Sequence, residues 1–510
     1  MKRVLVLDFG SQYTQLIARK VRELGVYSEI SPFDISLSKL KKDKPAAIIL
    51  SGGPQSVYQK KAPRLSAEIF EWGIPILGIC YGLQLMAHLL GGRVTPTQKR
   101  EYGLARLRIL DRRGLLFRVK DRGQVWMSHG DRVEVLPQGF IVSGRTPNCP
   151  SAVIEWREKK LFGVQFHPEV IHTKQGMRIL SSFLFNQAGL KLDWNMEAFI
   201  ERKTAEIRAQ VGREKVICGL SGGVDSLVTA LIVQRAIKDK LFCIFVDNGL
   251  LRSGQYREMI RKFQERLALK VIGVEASQMF LEKLKKVSSP ERKRKIIGEL
   301  FIRTFEREAE RMGGVKFLAQ GTIYPDVIES SPITGPSSRI KSHHNVGGLP
   351  LHLKFELIEP LRELFKDEVR RLAKELGVGR DFISQHPFPG PGLAVRIVGD
   401  VTPGRIKLLR QADAVLLREV KRSGLYNRLW QAFVVLLPVK SVGVMGDRRT
   451  YQSVVVVRLV CSVDGMTADW FPARPELLAR ISNRIVNEVE GVNRVVYDIT
   501  TKPPGTIEWE

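Results

Sequence analysis

Five cysteines in 510 residues, with no Cys-x-x-Cys pair, argue against a disulfide framework or a zinc site and point to a reducing cytoplasm. No apolar run reaches the ~18 residues a membrane helix needs, so no membrane partner is expected. The opening run MKRVLVLDFGSQ breaks at Asp8, too early for a signal peptide, and reads as a first buried strand. No Gly-Lys dipeptide occurs, which excludes a Walker A phosphate loop. Acidic side chains are scarce: 53 Asp and Glu against 81 Lys and Arg give a formal charge of +28. Such an excess attracts nucleic acid or phosphorylated small molecules. The bases are scattered, however, and between Glu282 and Arg311 they interleave with acids as on a solvated helix face. No nucleic-acid partner is therefore expected.

The chain does have room for three or four domains. Apolar runs at 3–7, 46–50 and 74–79 alternate with helical patterns, one through Leu24 and one from Leu83 to Leu90. This is the rhythm of a mostly parallel α/β sheet. After Gly92 the strands read as shorter and turn-rich. A helical stretch from Asn195 to Gly212 leads into a second α/β pattern, with strands at 215–219, 241–246 and 315–319. HPFPGPG at 386–392 is a rigid loop or boundary, and a small α+β unit follows from about Val401, with a β-branched strand at 453–460. The expected domains are 1–190, 191–385 and 386–510. The fold class is α/β: one α/β domain, then a doubly wound parallel sheet, then the small α+β unit.

Cys80, in GICYGLQ, falls between a strand pattern and a helix pattern. A nucleophile on that turn is exposed at a helix N-terminus, where backbone N–H groups and the dipole favour an anion. Amide hydrolysis by sulfur also needs a base, a group that orients it and an oxyanion hole. Gln165-Phe166-His167-Pro168-Glu169 offers His167 as base and Glu169 as its orienter. Gly52-Gly53 and the N–H of Tyr81 are oxyanion candidates. A lone Cys after a strand is usually a buried apolar residue, and a lone His is usually structural. Together, SGGP, GICYGLQ, SHGD and FHPE in this order resemble a class I glutamine amidotransferase over residues 1–190. The resemblance implies a Cys80–His167–Glu169 triad. It also implies Gly53 at the oxyanion hole and glutamine held by Gln84 and by the Ser128 and His129 backbone.

Ser221-Gly222-Gly223-Val224-Asp225-Ser226 follows a strand and opens a helix, a place where small residues let N–H groups surround a phosphate. Without a lysine, the loop resembles that of the ATP-pyrophosphatases, which release pyrophosphate and adenylate a substrate oxygen. Val246 and Gly321, at the ends of two further strands, belong to the same ATP site. Asp326 and Glu329 are candidate magnesium ligands beside the triphosphate; the plainer reading is an acidic helix N-terminus. Lys341, His343 and His344 lie in a glycine-ended loop that reads as a mobile lid.

SGGVDS alone leaves the acceptor open, a nucleotide in RNA included. IKSHHNVGGLP, HPFPGPGLAVRI, SVGVMGD, DGMTADW and ITTKPPGTIEWE extend a resemblance to the GMP synthetase family over essentially the whole chain. That resemblance implies glutamine, ATP with Mg2+, and xanthosine monophosphate (XMP) as reactants, an adenyl-XMP intermediate and a homodimer built by the C-terminal unit. It places Arg252, Arg396, Lys502, Ile507 and Glu508 at XMP. The prolines and Trp509 of the tail favour docking over fraying.

Overall fold

The computed structural model describes residues 2–330 and 355–510, apart from 446, 463, 464 and 466. The candidate lid residues Lys341, His343 and His344 lie outside the described residues, as does the Glu329 side chain. The described chain forms two compact units, 2–198 and 199–510.

In the first unit, strands β2 (Tyr27–Pro32), β1 (Arg3–Asp8), β3 (Ala47–Leu50), β4 (Ile76–Ile79) and β9 (Leu161–Val164) lie side by side in that order, each parallel to its neighbour. Their fully buried Val, Ile and Leu side chains are those of a sheet covered on both faces. The helix Thr14–Glu23 is α1, and Tyr81–Leu89, which springs directly from β4, is α2. The sheet order is β2-β1-β3-β4-β9-β8-β7-β5-β6, completed by β5 (Arg93–Ile109), β6 (Gly123–Val135), β7 (Ile141–Arg145) and β8 (Val153–Trp156). Here the sequence misleads. β5 and β6 are long strands, not short ones, because the turn-like residues around Pro96 are absorbed by a register shift between Pro96 and Glu101.

The second unit holds a five-stranded, all-parallel sheet in the order β12-β11-β10-β13-β14. Its strands are β10 (Val216–Leu220), β11 (Leu241–Asp247), β12 (Val271–Glu275), β13 (Phe317–Ala319) and β14 (Glu356–Ile358). The helix after β10 is α3 (Val224–Ile237). The charged stretch near residue 300 is α4 (Pro290–Arg311), started by a Ser289 cap and Pro290. It is not solvated all round. Lys293 is buried and donates to the carbonyls of Ala394 and Ile397, and it pairs with Glu510. The last sheet combines an antiparallel hairpin, β15 (Gln431–Met445) and β16 (Arg448–Cys461), with β17 (Asp469–Trp470) and β18 (Val492–Tyr497). The helix Pro403–Arg422 packs on β15 and is α5.

Candidate active site

Parallel strands present their following loops at one edge, and this edge gathers the first constellation. Cys80 follows β4, Ser51–Pro54 follows β3 and Gln165–Glu169 follows β9, three adjacent strands. Two backbone bonds tie them together: Cys80 N–H donates to Val164 O at 2.8 Å, and Gly82 N–H to Ser51 O at 3.0 Å. Cys80 has φ 53° and ψ −105°, a strained conformation for a side chain with a Cβ. The turn is possible because its neighbours are glycines. A Cβ on Gly82 would sit 2.4 Å from Leu50 O, and one on Gly78 would sit 2.6 Å from the Leu83 nitrogen. Gly53 is less tightly enclosed: a Cβ there would lie 3.0 Å from Phe9 O and 3.1 Å from the Tyr81 ring.

Around the sulfur, His167 Nδ1 and Glu169 Oε1 lie 2.7 Å apart, and both residues are buried. The Cys80 sulfur lies near enough to the His167 ring to act on its charge. Burial opposes charge on His167, but the Glu169 carboxylate and the Cys80 sulfur outweigh it and raise the imidazole well above its ordinary value. Tyr13 meets the His167 ring edge-on, with centroids 5.0 Å apart. The Ser128 carbonyl faces Cys80 Sγ at 3.6 Å. Gln84 is engaged: its Nε2 donates to Asp131 O at 2.9 Å and to Gln165 Oε1 at 3.2 Å. Gln165 Nε2 in turn donates to Cys80 Sγ at 3.7 Å. The sequence sets Gln165 beside His167, yet only the strand direction shows that it points at the sulfur.

The second constellation sits where the order of the parallel sheet reverses, between β10 and β13, the usual ligand crevice of such sheets. After β10 the chain turns through Gly222 at φ +82°. Ser226 Oγ accepts from Ser221 N–H at 3.1 Å and lies 3.0 Å from Ser221 Oγ, and Gly223 N–H donates to Ser221 Oγ. Gly321, after β13, packs against this loop, since a Cβ there would lie 3.1 Å from Ser226 N. Val246 lies near the end of β11, beside β10. Asp225 pairs with Lys366, a cation the sequence reading passed over because it is 141 residues away. The other Asp225 oxygen, Oδ1, is buried with no hydrogen-bond partner among the described residues. Asp326 Oδ2 accepts from Ile323 N–H at 3.0 Å, which is the helix-start role.

The tail is docked. Arg396, fully buried, makes a two-point pair with Glu508 at 2.9 and 3.1 Å, and its guanidinium lies over Phe433 and Phe388. Gln431 Nε2 donates to Glu508 at 2.6 Å. Arg252 lies over the same Phe388 ring and pairs with Asp413 at 2.8 Å. The Ile507 carbonyl accepts from Arg458 at 3.0 Å. Lys502 has a separate setting: its Nζ donates to Gly465 O at 2.6 Å.

These arrangements define a glutamine amidotransferase elbow in one unit and a lysine-less phosphate loop in the other. Family models agree: glutamine amidotransferase class-I matches residues 5–187, NAD synthase 195–298 and the GMP synthase C-terminal domain 418–509. The chain is 54% identical over 508 residues to the glutamine-hydrolysing GMP synthase of Brachyspira hyodysenteriae, covering 100% of this chain and 99% of that one. It is 56% identical to that of Aquifex aeolicus, with 99% of each covered. Among solved structures, a putative GMP synthase subunit from Thermoplasma acidophilum is 28% identical with a TM-score of 0.34, covering 37% of this chain and 94% of its own. The chain belongs to the glutamine-hydrolysing GMP synthase family.

Proposed function

We propose that the two sites divide the family's reaction, in which XMP, ATP, glutamine and water become GMP, AMP, pyrophosphate and glutamate. Cys80 attacks the glutamine carboxamide, and His167 gives its proton to the departing ammonia. Water, activated by His167, then resolves the thioester to glutamate. The N–H groups of Gly53 and Tyr81 hold the oxyanion, and Gln84 with the Ser128–His129 backbone shapes the glutamine pocket. In the second unit, XMP O2 attacks the α-phosphorus of ATP and pyrophosphate leaves into the 221–226 loop. Ammonia then displaces AMP from adenyl-XMP. The observation that carries this reading is the strained Cys80 turn with its sulfur against a His167–Glu169 pair.

Mg2+ fits the phosphate loop: Asp225 Oδ1 is buried with no hydrogen-bond partner among the described residues and would be one oxygen ligand, with Asp326 as a second. The ion would screen charge on the departing pyrophosphate. Lys366 and the lid residues Lys341, His343 and His344 add cations to the phosphates. XMP is held by Arg252, Lys502 and the Ile507–Glu508 tail, with Arg396 keeping the Glu508 carboxylate aimed. Functionally the second unit divides near residue 385, and the last part joins two chains into a homodimer. The free cysteines suit a cytoplasmic setting.

Cys80→Ala tests the division: GMP formation from glutamine is expected to vanish while formation from ammonium salts persists. Loss of both would overturn it.

A further inference from the structure

Outside the triad, the first unit contains a second cysteine–histidine–carboxylate cluster. Glu101 on β5 and His129 on β6 are direct partners across the antiparallel pair. Cys149 follows β7. All three are buried, and their ligand atoms lie within 4.8 Å of one another, the single such group among the described residues. We propose that Glu101, His129 and Cys149 bind a thiophilic divalent cation of the Zn2+ class.

Two of the ligands, His129 and Glu101, already have the outer partner that a metal ligand requires. His129 Nδ1 is 2.8 Å from Asp131 O. A carbonyl only accepts, so Nδ1 carries the proton and Nε2 is turned inward, 3.2 Å from Glu101 Oε2. Thr146 Oγ1 donates to the Glu101 carboxylate at 3.0 Å and accepts from Cys149 N–H at 3.1 Å, fixing the loop that carries the sulfur. Tetrahedral zinc, with bonds of about 2.0–2.3 Å, needs ligand atoms roughly 3.3–3.8 Å apart.

Charge completes the case. A divalent ion balances one thiolate and one carboxylate, displacing the thiol proton. Sequence spacing hides this site because the ligands come from three different stretches. Its position gives it leverage, since His129 adjoins the Ser128 carbonyl that faces Cys80.

The test uses the full chain carrying Cys80→Ala, so that the triad sulfur does not compete. Titration with Co2+ should give one equivalent bound, with a thiolate-to-cobalt charge-transfer band that Zn2+ abolishes. Adding Cys149→Ser should remove the band. Adding Glu101→Gln, which keeps the Thr146 contact, should weaken binding at least tenfold and decides the matter if the serine variant misfolds. No charge-transfer band, or one that survives both second substitutions, overturns the proposal.

Discussion

At Glu169, Oε1 holds the His167 ring while Oε2 is buried with no hydrogen-bond partner among the described residues. A carboxylate kept in so costly a place acts through its charge. Glu169→Gln retains a hydrogen-bonding oxygen and removes that charge. Because Glu169 helps raise His167, the imidazole should fall toward its ordinary 6.5 in this variant, with burial pressing it lower. A proton needed on His167 is then lost at lower pH. The alkaline limb of glutamine hydrolysis should move to lower pH, and the rate should drop on the order of 10²–10⁴-fold. Ammonia-dependent GMP formation is the internal control. An unmoved limb would show that Glu169 serves only to position the ring.

Elements differ in how much of their work is local. The HPFPGPG loop is held by His386, whose Nε2 lies 2.7 Å from Tyr426 O while its Nδ1 accepts the Ala432 N–H. The Nδ1 bond requires the neutral ring, because a proton on Nδ1 would point at another donor, whereas Nε2–H donates to Tyr426 O in either state. Burial accordingly lowers His386 below its ordinary 6.5, and Arg252 and Arg396 add to this. The unfolded chain takes up a proton that the folded loop resists. Stability from this anchor is therefore full above 6.5 and declines as pH falls through the lowered folded value. Hydrogen exchange of the loop amides over roughly pH 5 to 7 should show protection falling with acid, and His386→Gln should flatten that dependence. Protection that stays constant in the parent chain would refute it. The same contrast explains what the sequence disclosed. The strand–Cys80–helix turn, the Ser221–Ser226 turn and the alternation of strands with helices were legible because each is a short run whose glycines and apolar residues act on their neighbours. Gln165 on Cys80, Lys366 on Asp225 and the burial of Lys293 were not, since each depends on which strand lies beside which. The long β5–β6 ribbon was hidden too, because its register shift makes strand residues read as turns.

For the whole molecule, the unsolved surface is the edge of the last sheet. β15 is an outer strand of that sheet, and on its far half Val442 and Val444 are 60% and 72% exposed, with Tyr451 opposite Val442 on β16 at 65%. A long edge strand with bare valines invites pairing with another chain unless something covers it. In a homodimer the natural cover is the same strip from a second copy, because a two-fold interface brings one patch onto itself. The double variant Val442→Asp, Val444→Asp would set four carboxylates against one another across such an interface. With the proposed homodimer as the reference, light scattering should report a monomer for the double variant. Glutamine hydrolysis should survive, because the triad lies wholly within residues 2–198. A double variant that remains dimeric would move the interface elsewhere and leave the exposed strip without a partner.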